Sequence, residues 1–319
     1  MIADHNLPQR GLIKELFRVV FQRMRENGQY VSHLYPFQAN YYRQYGYEPV
    51  CKHCLWKIPV EYIPNDNSGG FVYYDGSPEM QKQIRNIYEA FASGYNLSLV
   101  KDEKKWDAFF QMIVPYGGRY FSYLHYSDGV PDAFMSYKIL TNPDRPQDLY
   151  AENLWFTTYR GLRGILSYFV TQKPYADRIW VRTPTNVDLS AYTEFQGGWA
   201  MRDSYCQLCF DGTTRVVDVE KLLPLLRCKG EGTVCIQIEN DTYCPWNNDC
   251  FTLSFGEKSQ VTRGGNPDII MNINAFSAMV LGGLSLDDGL IFPNVEIKGD
   301  REELEKVFYK KNNYIDEHF

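Results

Sequence analysis

The sequence predicts a mixed α/β protein with more than one domain, and three observations lead to this prediction. The first is the length of 319 residues, which exceeds what one ordinary hydrophobic core holds. The second is the alternation of amphipathic helical segments with short apolar runs typical of strands. The third is a change of character at Arg215, after which short strands alternate with tight turns.

The first element is an amphipathic helix predicted over Leu12–Asn27 and ended by Gly28. A short strand at Tyr30–Leu34 and an aromatic helix at Phe37–Tyr45 follow it, and Gly46 ends the second helix. The apolar stripe expected to face the core of the protein consists of Leu12, Leu16, Val19 or Val20, and Met24.

The middle of the chain contains a helix that begins at Pro78 with Ser77 as its cap. It also contains a hairpin of Tyr120–Tyr126 with Ala133–Leu140. A later helix is predicted to begin at Arg163-Gly164. This pair repeats the Arg10-Gly11 that precedes the first helix, which favours an internal duplication at domain scale.

Beyond Arg215, strands are predicted at Thr233–Ile238, Cys250–Phe255 and Ser259–Thr262, and helices near Asn274–Leu281 and Arg301–Lys310. The chain then ends in the segment Tyr314–Phe319. Its apolar Tyr314 and Ile315 are expected to dock this segment rather than leave it frayed.

Composition excludes several classes of function. The net charge of −6 argues against a nucleic-acid-binding protein, which needs a basic face. The N-terminus shows no signal peptide, and no apolar run is long enough to span a bilayer, so we expect a cytoplasmic protein without a membrane partner. The eight cysteines are then expected to be reduced thiols.

Two Cys-x-x-Cys pairs raise the question of a zinc site. They are Cys51 with Cys54 and Cys206 with Cys209, and they lie much further apart than the knuckles of a zinc ribbon. Both pairs also occur in strand-like runs, where residues three apart point to opposite faces. The sequence therefore predicts no metal ligands.

Two segments have the residues for acyl transfer. Gly11, at the start of a helix and next to Arg10, can present backbone N–H groups to an anion such as a pyrophosphate. Tyr42, in the aromatic segment His33–Tyr47, is a candidate proton donor, and the α-carboxylate of Phe319 is a candidate base. The same tyrosines are also ordinary packing residues, and a C-terminal Phe is usually only a chain end.

Residues 3–49 resemble the second half of a GNAT acetyltransferase domain, the part with the acetyl-CoA loop and helix. The pattern Tyr42-Arg43-Gln44-Tyr45-Gly46-Tyr47 is similar to that of the "enhanced intracellular survival" family of aminoglycoside and lysine N-acetyltransferases. The C-terminal region, with RVVDVEKLL and the ending NNYIDEHF, resembles that family's sterol-carrier-like domain. The middle resembles its second, cofactor-free GNAT-like domain, so the resemblance covers essentially the whole chain.

The resemblance implies a partial GNAT domain at 1–63, a second GNAT-like domain at 71–213 and a sterol-carrier-like domain at 214–319. It implies direct transfer of acetyl from acetyl-CoA to a primary amine of a small molecule or a lysine, by a homo-oligomer. Tyr42 falls on the family's general acid, and the carboxylate of Phe319 falls on its general base. Arg10, Gly11 and Leu12 fall on the pyrophosphate loop.

The sequence also departs from the family pattern. Pro8 and Gln9 occupy places where the family has arginines, and the chain starts only a few residues before the loop, so we expect an N-terminally truncated member. Two alternatives to an active N-acetyltransferase stay open. One is a protein that binds a lipid or other apolar ligand through the sterol-carrier-like domain, and the other is a catalytically inactive homologue.

Overall fold

The computed structural model describes residues 11–66, 69–141, 147–193 and 205–316. Within these ranges the chain forms two compact units. Unit 1 consists of residues 11–51 and 211–311, and unit 2 consists of residues 52–210 and 312–316. The short C-terminal segment therefore belongs to a different unit from the helix before it. The predicted domain boundaries stay a prediction.

Helices and strands alternate along the chain through both units. In chain order they are α1 (Leu12–Glu26), β1 (Val31–Leu34), α2 (Ala39–Arg43), β2 (Lys52–Pro59), β3 (Gly70–Tyr73), α3 (Pro78–Ala92), α4 (Glu103–Met112), β4 (Phe121–Ser127), β5 (Val130–Leu140), β6 (Gln147–Phe156), α5 (Tyr159–Ser167), β7 (Ala176–Pro184), β8 (Tyr205–Phe210), β9 (Thr213–Val216), α6 (Val219–Leu222), β10 (Gly232–Glu239), β11 (Cys250–Phe255), β12 (Gln260–Arg263), β13 (Ile269–Asn272), α7 (Ile273–Val280), α8 (Leu286–Gly289), β14 (Glu296–Ile297) and α9 (Arg301–Val307). Short 3-10 turns occur at Val60–Tyr62, Tyr168–Gln172, Leu189–Ala191, Leu223–Leu225 and Pro245–Asn247.

Unit 1 contains two sheets. The larger has the strand order β12-β11-β10-β13-β14, with β10 and β13 parallel and the other neighbours antiparallel. The smaller pairs β1 with β9 in antiparallel register, so that Val31 lies opposite Val216. Helix α7 packs against β9 and β13. Strands β10, β11 and β12 confirm the three strands predicted after Arg215.

Unit 2 is built on a sheet of order β3-β4-β5-β6-β7-β2-β8, in which only β6 and β7 run parallel among the described strands. Helix α3 packs on β5 and β6, and its predicted cap is confirmed because the Met80 N–H donates to the Ser77 hydroxyl at 3.4 Å. The core is rich in aromatic rings such as Trp106, Phe134 and Trp155. Among the described residues, no helix has the length and apolar character that a membrane crossing requires.

Helix α1 buries a face that shares only Met24 with the predicted one. The inward side carries Phe17, Phe21 and Met24, and Phe21 is completely buried. Periodicity alone did not select this face because apolar residues occur on both sides of the helix. Four residues of the predicted stripe are exposed instead: Leu12 66%, Leu16 38%, Val19 42% and Val20 38%.

Helix α5 begins earlier than predicted, so the proposed equivalence of the two Arg-Gly pairs is wrong. Thr158 caps the helix by accepting a hydrogen bond from the Gly161 N–H at 2.9 Å. Gly164 therefore lies inside α5, where a side chain would clash with the ring of His125. The Asp132 carboxylate lies against the first turn, 3.4 Å from the Thr158 hydroxyl. A carboxylate of the protein itself thus occupies this helix N-terminus, which favours a unit without a cofactor loop.

Candidate functional site

The start of helix α1 has no partner for its first backbone N–H groups among the described residues. Gly11 is its N-cap with φ 118° and ψ −23°, and no side chain of the described residues caps the helix. Within the same part of the chain, the backbone N–H groups of Leu12, Ile13 and Lys14 donate no hydrogen bond. A Cβ at Gly11 would meet no described atom within 4 Å, so the positive φ, rather than lack of space, favours glycine here. Arg10, the neighbouring residue of the predicted loop, lies outside the described residues.

Tyr42 lies in the short helix α2, and the turn that follows determines its position. Its carbonyl accepts hydrogen bonds from the backbone N–H of Tyr45 at 2.9 Å and of Tyr47 at 3.4 Å. The ring makes edge contacts with Phe17 at 6.3 Å and Phe37 at 5.6 Å between centroids. Tyr42 is half-buried, and its hydroxyl has no hydrogen-bond partner among the described residues. The phenol proton is therefore available to a ligand.

An aromatic cluster joins α1 to the segment around Tyr42. Phe17 stacks on Tyr45 with centroids 4.1 Å apart, and Phe21 lies 6.1 Å from Tyr47. The Tyr47 hydroxyl is 2.7 Å from the hydroxyl of Ser32 in β1. Helix α1, strand β1 and helix α2 are thus held together, so Gly11, Leu12 and Tyr42 lie on one packed substructure.

Arg215, a buried arginine that the sequence analysis did not identify as important, contacts this aromatic cluster at Tyr45 and Phe21. Arg215 is 0% exposed, and its guanidinium donates to the carbonyl of Tyr45 at 2.6 Å and to the carboxylate of Asp241 at 2.7 Å. Its Nε donates to the carbonyl of Val216 at 3.0 Å, and its charge lies 4.4 Å from the centre of the Phe21 ring. No local motif marks Arg215 or Asp241 in the sequence, because their pairing depends on tertiary contacts.

Replacing Arg215 by methionine is expected to destabilise the protein by about 3–5 kcal/mol, since the buried carboxylate of Asp241 loses its positively charged partner. The matched control is Arg263→Met. Arg263 pairs with Glu220 at 2.7 Å and Asp249 at 2.8 Å on the surface, so its loss should change stability by at most about 1 kcal/mol. Urea unfolding, monitored by circular dichroism, measures the free energy of unfolding of both variants. Equal losses in the two variants would contradict the role given to Arg215.

Residues 312–316, the described part of the C-terminal segment, are docked in unit 2, as the sequence predicted from Tyr314 and Ile315. These side chains are only 2% and 6% exposed. The guanidinium of Arg182 donates to the carbonyl of Ile315 at 2.6 Å, and the Ser98 hydroxyl donates to the carbonyl of Tyr314 at 3.2 Å. Phe319 itself lies outside the described residues, so its assignment as the base stays a prediction.

Three of the four cysteines in the two pairs lie near one edge of the large sheet in unit 2. Strands β2 and β8 place His53 opposite Cys209 and Cys54 opposite Leu208. Cys206 and Cys209 lie three residues apart in β8, so their side chains point to opposite faces of the sheet, as strand alternation predicts. In the described part of the chain, no group of three or more potential ligands is arranged to hold a metal ion. The expected absence of zinc stays a prediction that elemental analysis tests.

A hollow of about 750 Å³ opens at the ends of β10 and β11 in unit 1. Its lining includes Glu239, Asn240, Asn248 and Asp249. These side chains carry amides and carboxylates, whereas a lipid chain needs apolar walls. The hollow therefore gives no support to binding of an apolar ligand.

Comparison with known proteins agrees with this architecture. The acetyltransferase (GNAT) domain profile matches residues 5–50, and the sterol carrier protein domain profile matches residues 219–316. The predicted GNAT segment and sterol-carrier domain are thereby confirmed. No curated protein matches the sequence.

Solved structures share the fold over nearly the whole chain. A GCN5-related N-acetyltransferase from Anabaena variabilis is 17% identical with a TM-score of 0.80, over 98% of this chain and 79% of that one. A conserved protein from Enterococcus faecalis is 16% identical with a TM-score of 0.83, over 100% and 80%. Eis1 from Mycobacterium abscessus is 17% identical with a TM-score of 0.78, over 99% and 80%. The predicted mixed α/β fold is confirmed.

Proposed function

We propose that this chain transfers an acetyl group from acetyl-CoA to a primary amine. The chain combines a segment that matches the GNAT acetyltransferase domain with one that matches the sterol carrier protein domain. The GNAT segment supports the broader conclusion that the protein is an acyltransferase. One observation carries the proposal. The open N-terminus of α1 at Gly11 belongs to the same packed substructure of unit 1 as the Tyr42 hydroxyl, which is unpaired among the described residues.

Acetyl-CoA is the co-substrate that fits the start of α1. Its pyrophosphate is an anion, and the N–H groups of Leu12, Ile13 and Lys14 offer it three donors at the positive end of a helix dipole. Gly11 places no side chain of its own next to these donors. In this proposal Arg10, together with Gly11 and Leu12, holds the pyrophosphate, and Arg10 supplies positive charge.

Direct transfer requires two proton movements. The amine must lose a proton before it attacks the thioester, and the departing thiolate must gain one. In the proposed mechanism the α-carboxylate of Phe319 accepts the first proton, and the Tyr42 hydroxyl donates the second. A phenol is protonated at neutral pH, so Tyr42 is ready to donate without prior activation.

Replacing Gly11 by alanine is expected to weaken acetyl-CoA binding by about tenfold. A Cβ disfavours the observed φ of 118°, and relaxation of that strain moves the first turn and its donors. Isothermal titration calorimetry measures the change. The control is Gly28→Ala, which introduces similar strain at φ 72° beyond the other end of the helix and should leave affinity unchanged. An equal loss of acetyl-CoA affinity in both variants would show that Gly11 is not part of the pyrophosphate site.

The reaction itself is tested by mass spectrometry of amines incubated with the protein and acetyl-CoA. The panel contains an aminoglycoside, a polyamine and a lysine peptide, because the proposed acceptor is a small-molecule or lysine amine. An acetylated product that requires the protein supports the proposal. Binding of acetyl-CoA without acetylation of any amine would favour the inactive alternative. The homo-oligomer implied by the resemblance is tested by light scattering.

A further inference from the structure

Cys235 and Cys250 are two thiols on neighbouring strands of the larger sheet of unit 1. Strand β10 places Cys235 opposite Thr252 of β11, and Cys250 lies two residues before Thr252. Because side chains alternate along a strand, both cysteines lie on the same face of the sheet. Their sulfur atoms are 2.7 Å apart, so the two thiols are in direct contact.

The backbone holds both thiols in this position. The N–H of Cys235 donates to the carboxylate of Asp268 at 2.7 Å, and the N–H of Asp268 donates to the carbonyl of Cys235 at 2.8 Å. The carbonyl of Cys250 accepts a hydrogen bond from the N–H of Gly264 at 2.8 Å. A disulfide bond is about 2.05 Å long, so the sulfur atoms need to approach each other by less than about 1 Å to form one.

The two thiols differ in exposure. Cys235 is only 5% exposed, and Gly265 lies directly against it, since a Cβ on Gly265 would come within 2.9 Å of its sulfur atom. Cys250 is partly exposed and belongs to the lining of the polar hollow at the ends of β10 and β11. A small polar reagent can therefore reach Cys250 from the hollow, whereas Cys235 is shielded.

We propose that Cys235 and Cys250 form a modification site, at which a low-molecular-weight disulfide such as oxidised glutathione converts the two thiols to a disulfide bond between β10 and β11. This site is independent of the proposed acetyl transfer, because its residues lie outside the substructure that contains Gly11 and Tyr42. The bond closes a loop of about 15 residues, and restricting that loop in the unfolded chain stabilises the folded state.

The reaction consists of two thiol–disulfide exchanges. The Cys250 thiolate attacks one sulfur atom of oxidised glutathione and displaces one glutathione thiolate, which leaves a mixed disulfide on Cys250. The Cys235 thiolate then attacks the Cys250 sulfur atom and displaces the second glutathione thiolate. The two protein thiols lose two protons and two electrons, and oxidised glutathione becomes two molecules of reduced glutathione.

The first exchange is expected to be slow at neutral pH. Burial, followed by the contact with Cys235, raises the pKa of the Cys250 thiol to about 12, and the carboxylates of Asp249 and Asp268 act in the same direction. The thiolate is the attacking form, and its fraction rises about tenfold for each pH unit below that pKa. The reaction is therefore best followed at about pH 9.

The bond is detected after the full chain is incubated with oxidised glutathione and its remaining thiols are alkylated under denaturing conditions. Mass spectrometry of a non-reduced digest is expected to show a peptide that links Cys235 to Cys250, with no alkyl group on either residue. The melting temperature Tm should rise by roughly 3–8 °C. The control is Cys228→Ser, which removes another partly exposed thiol of unit 1 and should leave both results unchanged.

Two single variants separate the roles of the thiols. Cys235→Ser should stop at the mixed disulfide, so that Cys250 keeps one glutathione, and Cys250→Ser should leave Cys235 as a shielded thiol. In the treated wild-type protein, alkylation of both thiols, a lasting mixed disulfide on Cys250, or an unchanged Tm despite the internal bond would each overturn the proposal. A bond between Cys54 and Cys206, which are also in contact, would do so if Cys235 and Cys250 stay reduced. These wild-type results decide the proposal even where a serine variant fails to fold.

Discussion

Extending the chain beyond Phe319 by a few residues is expected to abolish acetyl transfer while the fold stays intact. The extension turns the α-carboxylate into a neutral amide and moves the terminal charge away. Loss of a general base lowers kcat by roughly 10²–10⁴-fold. The measurement is kcat for amine acetylation by a C-terminally tagged protein, with circular dichroism to verify the fold.

Two controls make this result specific. The same tag at the N-terminus should leave the α-carboxylate intact and act as the reference. Phe319→Leu keeps a free terminus and should therefore lose less activity than the C-terminal extension. A C-terminally tagged protein with undiminished turnover would show that the carboxylate is not the base, and Glu317 would be the next side chain to test.

Replacing Tyr42 by phenylalanine is the second change with a large expected effect. In the proposed mechanism it removes the proton that the leaving thiolate needs, and it keeps the ring contacts with Phe17 and Phe37. We expect kcat to fall by roughly 10²–10⁴-fold. The free energy of unfolding should change by less than about 0.5 kcal/mol, because the hydroxyl makes no hydrogen bond with the described residues.

Tyr47→Phe is the matched control and should show the opposite pattern. The Tyr47 hydroxyl lies 2.7 Å from that of Ser32 in a buried position, so its loss should destabilise the protein by about 1 kcal/mol. Turnover should fall much less than in Tyr42→Phe. Near-wild-type turnover of Tyr42→Phe would reduce Tyr42 to a packing residue of the cluster.

Much of the local structure could be predicted from the sequence. Helix α1 was predicted within a residue of its observed end, and Ser77 was identified as the cap of α3. Both depend on short-range signals, namely periodicity, a capping hydroxyl and a glycine after the helix. Docking of residues 312–316 was also predictable, because Tyr314 and Ile315 are apolar residues within a largely polar segment.

The face of α1 and the start of α5 could not be predicted in this way. Apolar residues surround α1, so contact of Phe17 with Tyr45 decided which side became buried. In α5 the Arg163-Gly164 pair resembled a helix start, but the glycine is needed inside the helix to admit the ring of His125. The buried face of α1 and the start of α5 each depend on contact with a residue distant in the chain.

By itself, the sequence determined the class of fold, the helix that begins at Gly11, the tyrosine segment around Tyr42 and the apolar anchors of the chain end. These are local properties of residue type and spacing. Only the tertiary structure decided that Arg215 pairs with Asp241 next to the tyrosine segment, and that the indole of Trp155 donates to the buried carboxylate of Asp316 in unit 2. Buried charges are stable only beside a partner of opposite charge, and folding brings those partners together from distant parts of the chain.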